Sequence, residues 1–378
     1  MARTRAERLV RTLLESAGVA VDGPARHDIQ VHNPALYPRI VRHGSLGLGE
    51  AYMDGWWDAD AVDQTIARIL AERAQQQLSP GPRERAHTAI AYLWNLQGRI
   101  RARHAVAAHY DTGNELFRRM LDPLMNYSCA YWANAEDLAQ AQRNKLDLIC
   151  RKLELRPGLK VVDIGCGWGG FSRYAAEHYG VEVTGITLSR EQANYARDLC
   201  RGLPVTIELR DYRDLGKHAF DVPVDRIVSI GMFEHVGVRN YPTFMRIAAR
   251  CLQPDGLMLL HTIGSLESSR GNDPWLDKYI FPDGQLPSAA QLGRASEGLL
   301  VIEDWHNFGP DYDPTLMAWK QNFEQAWPEL APRYGQRFYR MWRYYLMLCA
   351  GAFRARHMQL WQLVFSRPHR TGIYRSVR

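Results

Sequence analysis

The stretch Val161–Gly170, reading V-V-D-I-G-C-G-W-G-G, constrains the fold of this chain more than any other segment. Residues 159–164 are apolar apart from Lys160 and Asp163 and read as a buried strand, which runs directly into glycines at 165, 167, 169 and 170. A strand that enters a glycine-rich turn and then a helix is a nucleotide-binding start. Glycine lets the backbone approach a ligand, and the helix N-terminus offers unpaired N–H groups. The spacing of Gly165, Gly167 and Gly170 also satisfies the dinucleotide pattern, so the motif alone leaves open a dinucleotide, another nucleoside cofactor and a purely structural turn.

An alternation of strands and helices follows, the mark of a doubly wound, mostly parallel α/β sheet. Strands are expected at 159–164, 181–186, 204–209, 226–230 and 257–263, and helices at 168–179, 189–200 and 241–252. Ser189 opens the second helix, and Gln192 three residues later predicts a capping box. A turn at Gln253–Gly256 delivers the fifth strand, and two more strands, at 300–305 and 360–365, flank a long helical region over 316–347. Ligands of open parallel sheets bind outside the carboxyl ends of the strands. Asp163, Thr187, Asp211, Glu234, His235, His261 and Ile263 all fall at such ends. Two details separate the cofactors. Asp163 stands before the first glycine, where dinucleotide sites carry an apolar residue, and the second strand ends in Thr187-Leu188-Ser189 without an acid to grip a ribose. The pattern D-x-G-x-G-x-G resembles motif I of S-adenosylmethionine-dependent methyltransferases.

A chain of 378 residues accommodates a large catalytic domain and a smaller one. Residues 1–78 are expected to form the smaller, mainly helical domain, with helices at 8–17 and 62–74, a strand at 28–32, a glycine-rich turn over Gly44–Gly49, and a core from Tyr52, Trp56 and Trp57. The sequence Q-Q-Q-L-S-P-G-P over 75–82 reads as a linker, placing the boundary at 79–84 and the catalytic domain at 85–378. A basic helical pattern over 83–103 leads into H-Y-D-T-G-N-E-L-F from His109 and L-D-P-L-M-N-Y-S-C-A-Y-W up to Trp132, an expected ordered loop or lid, and then a helix over 135–153. No apolar run approaches the roughly 18 residues of a membrane span, and no signal-peptide pattern opens the chain. Six scattered cysteines without C-x-x-C spacing predict a reducing, cytoplasmic setting with no metal site and no disulfide framework. Net charge is +6, but no acid follows Glu329 while ten arginines do, which favours an anionic partner, nucleic acid or phospholipid headgroups.

Taken singly, the chemical residues have ordinary explanations. Glu234 and His235 in G-M-F-E-H-V-G fit a helix-capping acid and an exposed histidine. His261 in L-M-L-L-H-T-I fits a core histidine, Cys129 a small buried residue, and Tyr312 one of several aromatics in D-W-H-N-F-G-P-D-Y-D-P. Together these segments, with T-L-S-R-E-Q, D-Y-R-D, D-P-W-L-D-K-Y-I-F-P and A-G-A-F-R-A-R, resemble those of bacterial cyclopropane-fatty-acyl-phospholipid synthases. The related mycolic acid cyclopropane synthases share the middle segments. The likeness covers nearly the whole chain, including G-S-L-G-L-G-E-A-Y-M-D-G-W-W, and departs at H-A-F-D-V-P-V-D (218–225), which looks longer than in the phospholipid enzymes and holds no expected site residue.

That resemblance implies a Rossmann-like methyltransferase fold with a seven-stranded sheet. It also implies methylene transfer from S-adenosylmethionine to a cis double bond of a membrane phospholipid, forming a cyclopropane ring. The cofactor would be held by Tyr127, Ser128, Asp163, Gly165, Cys166, Gly167, Gly169, Thr187, Leu188, Gln192, Asp211 and Tyr212. A bicarbonate ion would act as general base, held by Cys129, Glu234, His261, Ile263 (through its backbone) and Tyr312. A homodimer and a dimerisation or lipid-contact role for the N-terminal domain are further implications, as is peripheral attachment to the inner face of the cell membrane. The chemistry needs such a site. An alkene is a feeble nucleophile and must be held at near-attack distance. Its methylated cation must be kept from water, with Tyr131, Trp132, Phe233, Phe308 and Tyr312 as candidate lining. Arg333, Arg337, Arg340 and Arg343, interleaved with Tyr334, Phe338, Tyr339, Trp342 and Tyr344, are expected either to meet an anionic membrane or to form a solvated face on a packed helix. Two other outcomes remain: a relative making methyl-branched or hydroxylated chains, and a lipid- or nucleic-acid-binding protein with a vestigial cofactor fold. RNA methylation lacks an N-P-P-Y-type motif.

Overall fold

The computed structural model describes residues 3–76, 113–215, 223–268 and 271–378. The expected linker at 79–84, the basic pattern at 83–103, the start of the H-Y-D-T-G-N-E-L-F segment and most of the 218–225 run lie outside them. Contacts divide the chain into two compact units. One comprises Met1–His87, Asn272–Pro282 and Tyr312–Met358; the other comprises Thr88–Gly271, Asp283–Asp311 and Gln359–Arg378. The first unit therefore draws on later segments as well as on the N-terminal residues. Among the described residues no helix is long and apolar enough to cross a membrane.

In the first unit, helices α1 (Arg5–Ser16), α2 (Leu36–Met53) and α3 (Val62–Gln76) surround a short antiparallel ladder of β1 (Gln30–Val31) and β2 (Trp57–Asp58). The expected turn at Gly44–Gly49 is instead part of α2. Only Gly44 (φ 57°) interrupts the helix, while Gly49 lies flush against the Trp275 indole, where a Cβ would come within 2.4 Å of Cδ1. Gly49, like Gly47 against the Arg39 carbonyl, serves close packing, a role that leaves no turn signature. Tyr52 and Trp57 are buried edge to face at 5.1 Å and, with Tyr344, Trp275 and Trp342, form the aromatic core. Trp56 lies under the Arg39 guanidinium instead.

The run Tyr312–Arg354 is helical, broken at Gly335 (φ 74°, ψ 165°), with Pro328 and Pro332 ahead of the break. Its arginines are largely spoken for: Arg337 pairs with Asp54, Arg340 with Asp58, Arg343 with Glu324, and Arg354 with both Asp63 and Asp313. The acid-free end of the sequence is thus matched in large part by acids from earlier in the chain.

The second unit is the expected α/β sheet. Its seven strands are β3 (Lys160–Ile164), β4 (Glu182–Thr187), β5 (Val205–Leu209), β6 (Val224–Ile230), β7 (Leu252–Ser265), β8 (Val301–Asn307) and β9 (Met358–Ser366), arranged in the order 5-4-3-6-7-9-8. The β5–β4, β4–β3, β3–β6 and β6–β7 pairs are parallel, and β8–β9 is antiparallel. The order reverses beside β3, so the crevice at the end of that strand is the topological switch point where such sheets bind ligands. Val162, Ile164, Ile227, Met258 and Leu260 build the core on one face, and Val161, Val183, Val228, Leu257 and Leu259 that on the other. Helices on those faces include α4 (Leu138–Lys152), α5 (Gly170–Tyr179), α6 (Arg190–Leu199) and α7 (Tyr241–Cys251). The turn expected at Gln253–Gly256 is a bulge within β7: pairing with β6 shifts there and resumes at Arg226–Leu257.

Candidate active site

The glycine turn closes on itself over the end of β4, where the amides of Gly165 and Cys166 both donate to the Ile186 carbonyl, at 2.9 and 3.0 Å. Gly165 (φ 83°) and Gly167 (φ 54°) hold backbone conformations that side chains resist, and a Cβ on Gly165 would strike Met232 at 2.6 Å. The turn lines a cavity with Tyr127, Ser128, Asp163, Cys166, Thr187, Leu188, Gln192, Asp211 and Tyr212. Gly169 of the expected set does not line it. It caps α5 and faces Ala196, which a Cβ would meet at 3.0 Å.

Side chains around this cavity are partnered among themselves. Asp163 is buried and accepts from Ser172 Oγ at 2.8 Å; burial pushes its pKa up to about 7 against the opposing pull of that bond and of Lys145. Asp211 accepts from the Arg213 amide at 2.9 Å and from its guanidinium at 2.6 and 2.8 Å. Half of the predicted capping box forms: Ser189 accepts from the Gln192 amide at 3.3 Å, but the Gln192 side chain accepts from Thr187 Oγ1 at 3.0 Å. The competing acceptor role at the end of β4 explains the difference.

A second polar group lies deeper, at the ends of β6 and β7. Ile230 pairs with His261, and the Gly231 amide donates to the His261 carbonyl at 2.9 Å. The turn after Gly231 then presents Glu234, whose Oε1 accepts from the Ile263 amide at 2.7 Å. The Glu234 carbonyl takes the Gln285 amide at 2.8 Å, which fixes the turn. Glu234 is buried and its Oε2 has no hydrogen-bond partner among the described residues; burial pushes its pKa up to about 7, with the Ile263 amide and the Thr262 side chain pulling the other way. His261 is 1% exposed, and its Nδ1 faces the Gln362 amide nitrogen at 3.3 Å. The donor and acceptor roles in that contact depend on the ring tautomer, and Nε2 is also buried without a hydrogen-bond partner among the described residues. Burial, reinforced by Lys145 and Lys152, holds its pKa far below the usual histidine range, so the ring is neutral.

Cys129 is fully buried in the 121–132 segment, which passes this place: Ser128 lies about 3.7 Å from where a Gly231 Cβ would stand. Among the proposed lining residues, Phe308 meets His261 at 5.9 Å and Tyr131 at 5.3 Å, ring centre to ring centre. The Trp132 amide donates to Asp311 at 2.7 Å. Phe233 is not lining: it is stacked on Tyr241 at 4.3 Å in the core. Tyr312 belongs to the first unit, where it stacks on Phe353 at 4.3 Å. The second unit itself assembles Glu234, His261 and Ile263 of the five expected catalytic residues, with Cys129 on the neighbouring segment.

Sequence reading missed the polar stripe on α4. Gln142, Lys145 and Lys152 are all fully buried. Gln142 donates to the Ser128 carbonyl at 2.9 Å, and Lys145 Nζ donates to Ser128 Oγ at 3.0 Å and Asn126 Oδ1 at 3.2 Å. The available signal was three polar residues at helical spacing on the face that also carries Ile149.

A glycine turn at the switch point of this strand order defines an enzyme of the S-adenosylmethionine methyltransferase fold class. A family model for mycolic acid cyclopropane synthetase matches residues 97–363, and the chain belongs to that family. It is 52% identical over 366 residues to "Cyclopropane-fatty-acyl-phospholipid synthase" of Escherichia coli (strain K12), covering 97% of this chain and 94% of the relative. Among solved structures, the cyclopropane synthase MmaA2 from Mycobacterium tuberculosis superposes with a TM-score of 0.65 at 32% identity, covering 70% of this chain and 98% of that one. The mycolic acid cyclopropane synthase CmaA1 complexed with SAH and CTAB gives 0.64 at 34%, with the same coverage of 70% and 98%.

Proposed function

We propose that this enzyme transfers a methylene group from S-adenosylmethionine to the cis double bond of unsaturated acyl chains in membrane phospholipids, closing a cyclopropane ring. The observation that carries the reading is the buried pair of orphaned atoms, Glu234 Oε2 and His261 Nε2, at adjoining strand ends beside the cofactor cavity. An unpartnered buried polar atom costs on the order of 1–3 kcal/mol, and a small anion with both donor and acceptor oxygens can meet an imidazole nitrogen of either tautomer and a carboxylate oxygen. Bicarbonate has that chemistry. The cavity residues fit S-adenosylmethionine, whose glycine turn excludes side chains where the nucleoside must approach. When bound, S-adenosylmethionine supplies the methyl group and bicarbonate takes up the proton released on ring closure.

The residues of the chain do the rest. The glycine turn, Tyr127, Ser128, Thr187, Leu188, Gln192, Asp211 and Tyr212 fix the cofactor. Glu234 and His261 orient the base, with Cys129 and Ile263 framing it. Tyr312 joins this set on the strength of its sequence segment alone. Tyr131 and Phe308 offer aromatic faces to an electron-poor acyl chain and help exclude water. The first unit is assigned the lipid-contact or dimerisation role; Leu9 and Leu13 stand about half exposed on one face of α1. Attachment to the inner face of the membrane is peripheral in this reading.

Purified enzyme, S-adenosylmethionine and vesicles of a cis-monounsaturated phospholipid provide the test. The expected product is heavier by one CH2 per modified chain and resists mild hydrogenation. A product that takes up hydrogen, or none under conditions where S-adenosylmethionine binds, contradicts the assignment.

A further inference from the structure

Gln362 is the single polar residue of the apolar run 360–365 on β9, and it is fully buried. β9 lies between β7 and β8 in the sheet. Alternation along the strands puts Gln362 and His261 on the face that Leu257, Leu259 and Val364 build with Leu146 and Ile149 of α4. In that apolar layer the Gln362 Nε2 meets His261 Nδ1 at 3.3 Å, while its Oε1 has no hydrogen-bond partner among the described residues. A dry amide oxygen is costly, and a leucine or methionine would fill the place without that cost. The cross-strand neighbour of Gln362 on β8, His306, turns its Nδ1 to Lys152 Nζ at 3.1 Å instead. What the buried amide provides is therefore its contact with His261.

A neutral imidazole has one N–H and one bare nitrogen, and the partner of one nitrogen decides which is which. The His261 ring is neutral, because burial disfavours its charged form. The amide NH2 of Gln362 only donates, so it selects a bare Nδ1 and leaves the ring proton on Nε2. The other end of the ring makes the same demand. Bicarbonate carries one O–H, and an ionised Glu234 only accepts, so the free Oε2 takes that O–H. The oxygens that remain on the anion are acceptors. A bare Nε2 would meet them lone pair to lone pair, whereas an Nε2–H donates to one and leaves another open to receive a proton.

We propose that Gln362 is a positioning residue that holds His261 as the Nε2–H tautomer, making the ring the donor that seats the anionic base. This rests on the bicarbonate reading above and deepens it. Gln362 acts through His261, so its removal leaves the ring in place but without a partner on Nδ1. Bicarbonate must then hold the ring in the donating form by itself, which weakens its binding. Once bound, it meets the same donor as before, so turnover at saturating bicarbonate is preserved.

The experiment reads the ring proton directly, by 15N NMR of enzyme labelled in its histidines, with His261 assigned by the signals lost in His261→Asn. Alongside it, bicarbonate affinity is measured by 13C NMR titration, and the kcat and KM for bicarbonate by turnover in CO2-free buffer. The proteins are the wild type, Gln362→Met and Gln362→Leu, with S-adenosylmethionine affinity and thermal melting recorded for each. In the wild type the proton is expected on Nε2, with a bare Nδ1 whose resonance moves downfield in the variants as its donor is lost. Bicarbonate Kd and KM should rise about three- to tenfold in both variants, the worth of one orienting hydrogen bond. Saturating bicarbonate should restore kcat, and S-adenosylmethionine affinity should hold. A wild-type ring proton on Nδ1 overturns the proposal without any variant. Bicarbonate KM unchanged in the variants, or raised only in step with S-adenosylmethionine Kd, reduces Gln362 to packing and overturns it as well. Wild-type turnover that needs no bicarbonate removes the underlying reading, and this proposal with it, even with the proton found on Nε2.

Discussion

The cofactor cavity and the Glu234–His261 group lie at the ends of neighbouring strands, yet they are built in opposite ways. Around the cavity the polar side chains satisfy one another: Asp211 with Arg213, Asp163 with Ser172, Thr187 with Gln192. Those bonds hold the polar side chains in place around the glycine turn and fix the cavity's shape. At the ends of β6 and β7 the polar atoms are buried and unfinished, with one carboxylate oxygen and one imidazole nitrogen lacking hydrogen-bond partners among the described residues. A self-satisfied cavity is stable empty and suits a cofactor that comes and goes. An unfinished one is completed only by what it binds, and so carries the more specific chemical information.

The sharpest way to break this comparison is Glu234→Gln. It keeps the shape and an acceptor for the Ile263 amide but removes the charge. Turnover is expected to fall by roughly 10²–10⁴-fold, the range for losing a group that acts in proton transfer, while S-adenosylmethionine affinity by calorimetry stays within a factor of two to three, roughly. Unchanged turnover would put the carboxylate outside the mechanism. The mirror experiment is Gly165→Ala, at φ 83° and with a Cβ 2.6 Å from Met232. Backbone strain of about 1–3 kcal/mol predicts roughly ten- to hundredfold weaker S-adenosylmethionine binding, and the bicarbonate KM should not move. If it does, the two regions are one.

A gentler probe is pH. Glu234 works ionised in this account, and burial raises its pKa to about 7, so turnover at saturating S-adenosylmethionine should climb as pH rises through about 7. The Glu234→Gln residual activity should lack that limb; a limb surviving in the variant assigns it to another group. Smallest of all is Ser189→Ala, which deletes the N-cap of α6 beside the cavity. About 1 kcal/mol of stability should be lost by denaturant titration, with cofactor affinity little changed because Thr187 and Gln192 still hold each other. A large loss of affinity would show that the cap, rather than that pair, shapes the end of β4.

Legibility in the sequence follows the same division. The strand–turn–helix at Val161–Gly170 and the parallel sheet were readable because apolar strands and glycines leave periodic local signatures. Strand ends alone pointed to Asp163, Thr187 and Asp211 among the cavity residues, and the rest of the expected set came from the family resemblance. Gly44–Gly49 misled because a glycine needed for close packing against Trp275 looks like one needed for a turn. Gly169 misled likewise, since motif spacing says nothing about which glycine faces a ligand and which faces Ala196. Glu234 and His261 were visible only as members of a set; each alone has an ordinary reading. Lys145 could not be weighed at all, because whether a helical lysine faces water or the interior depends on how α4 docks. The arginines after Glu329 show the same limit, for Asp54, Asp58 and Asp63 precede them by almost 300 residues (|i−j| of 282 to 291).

The central claim is that the buried base removes a proton from the transferred methyl group, and isotope retention tests it most directly. Enzyme supplied with S-adenosylmethionine bearing a CD3 methyl group and a cis-monounsaturated phospholipid should yield a chain that has gained CD2, one deuterium having gone to the base on ring closure. A product that keeps all three deuteriums would show a methyl-branched chain, leaving the Glu234–His261 group without the role given to it here.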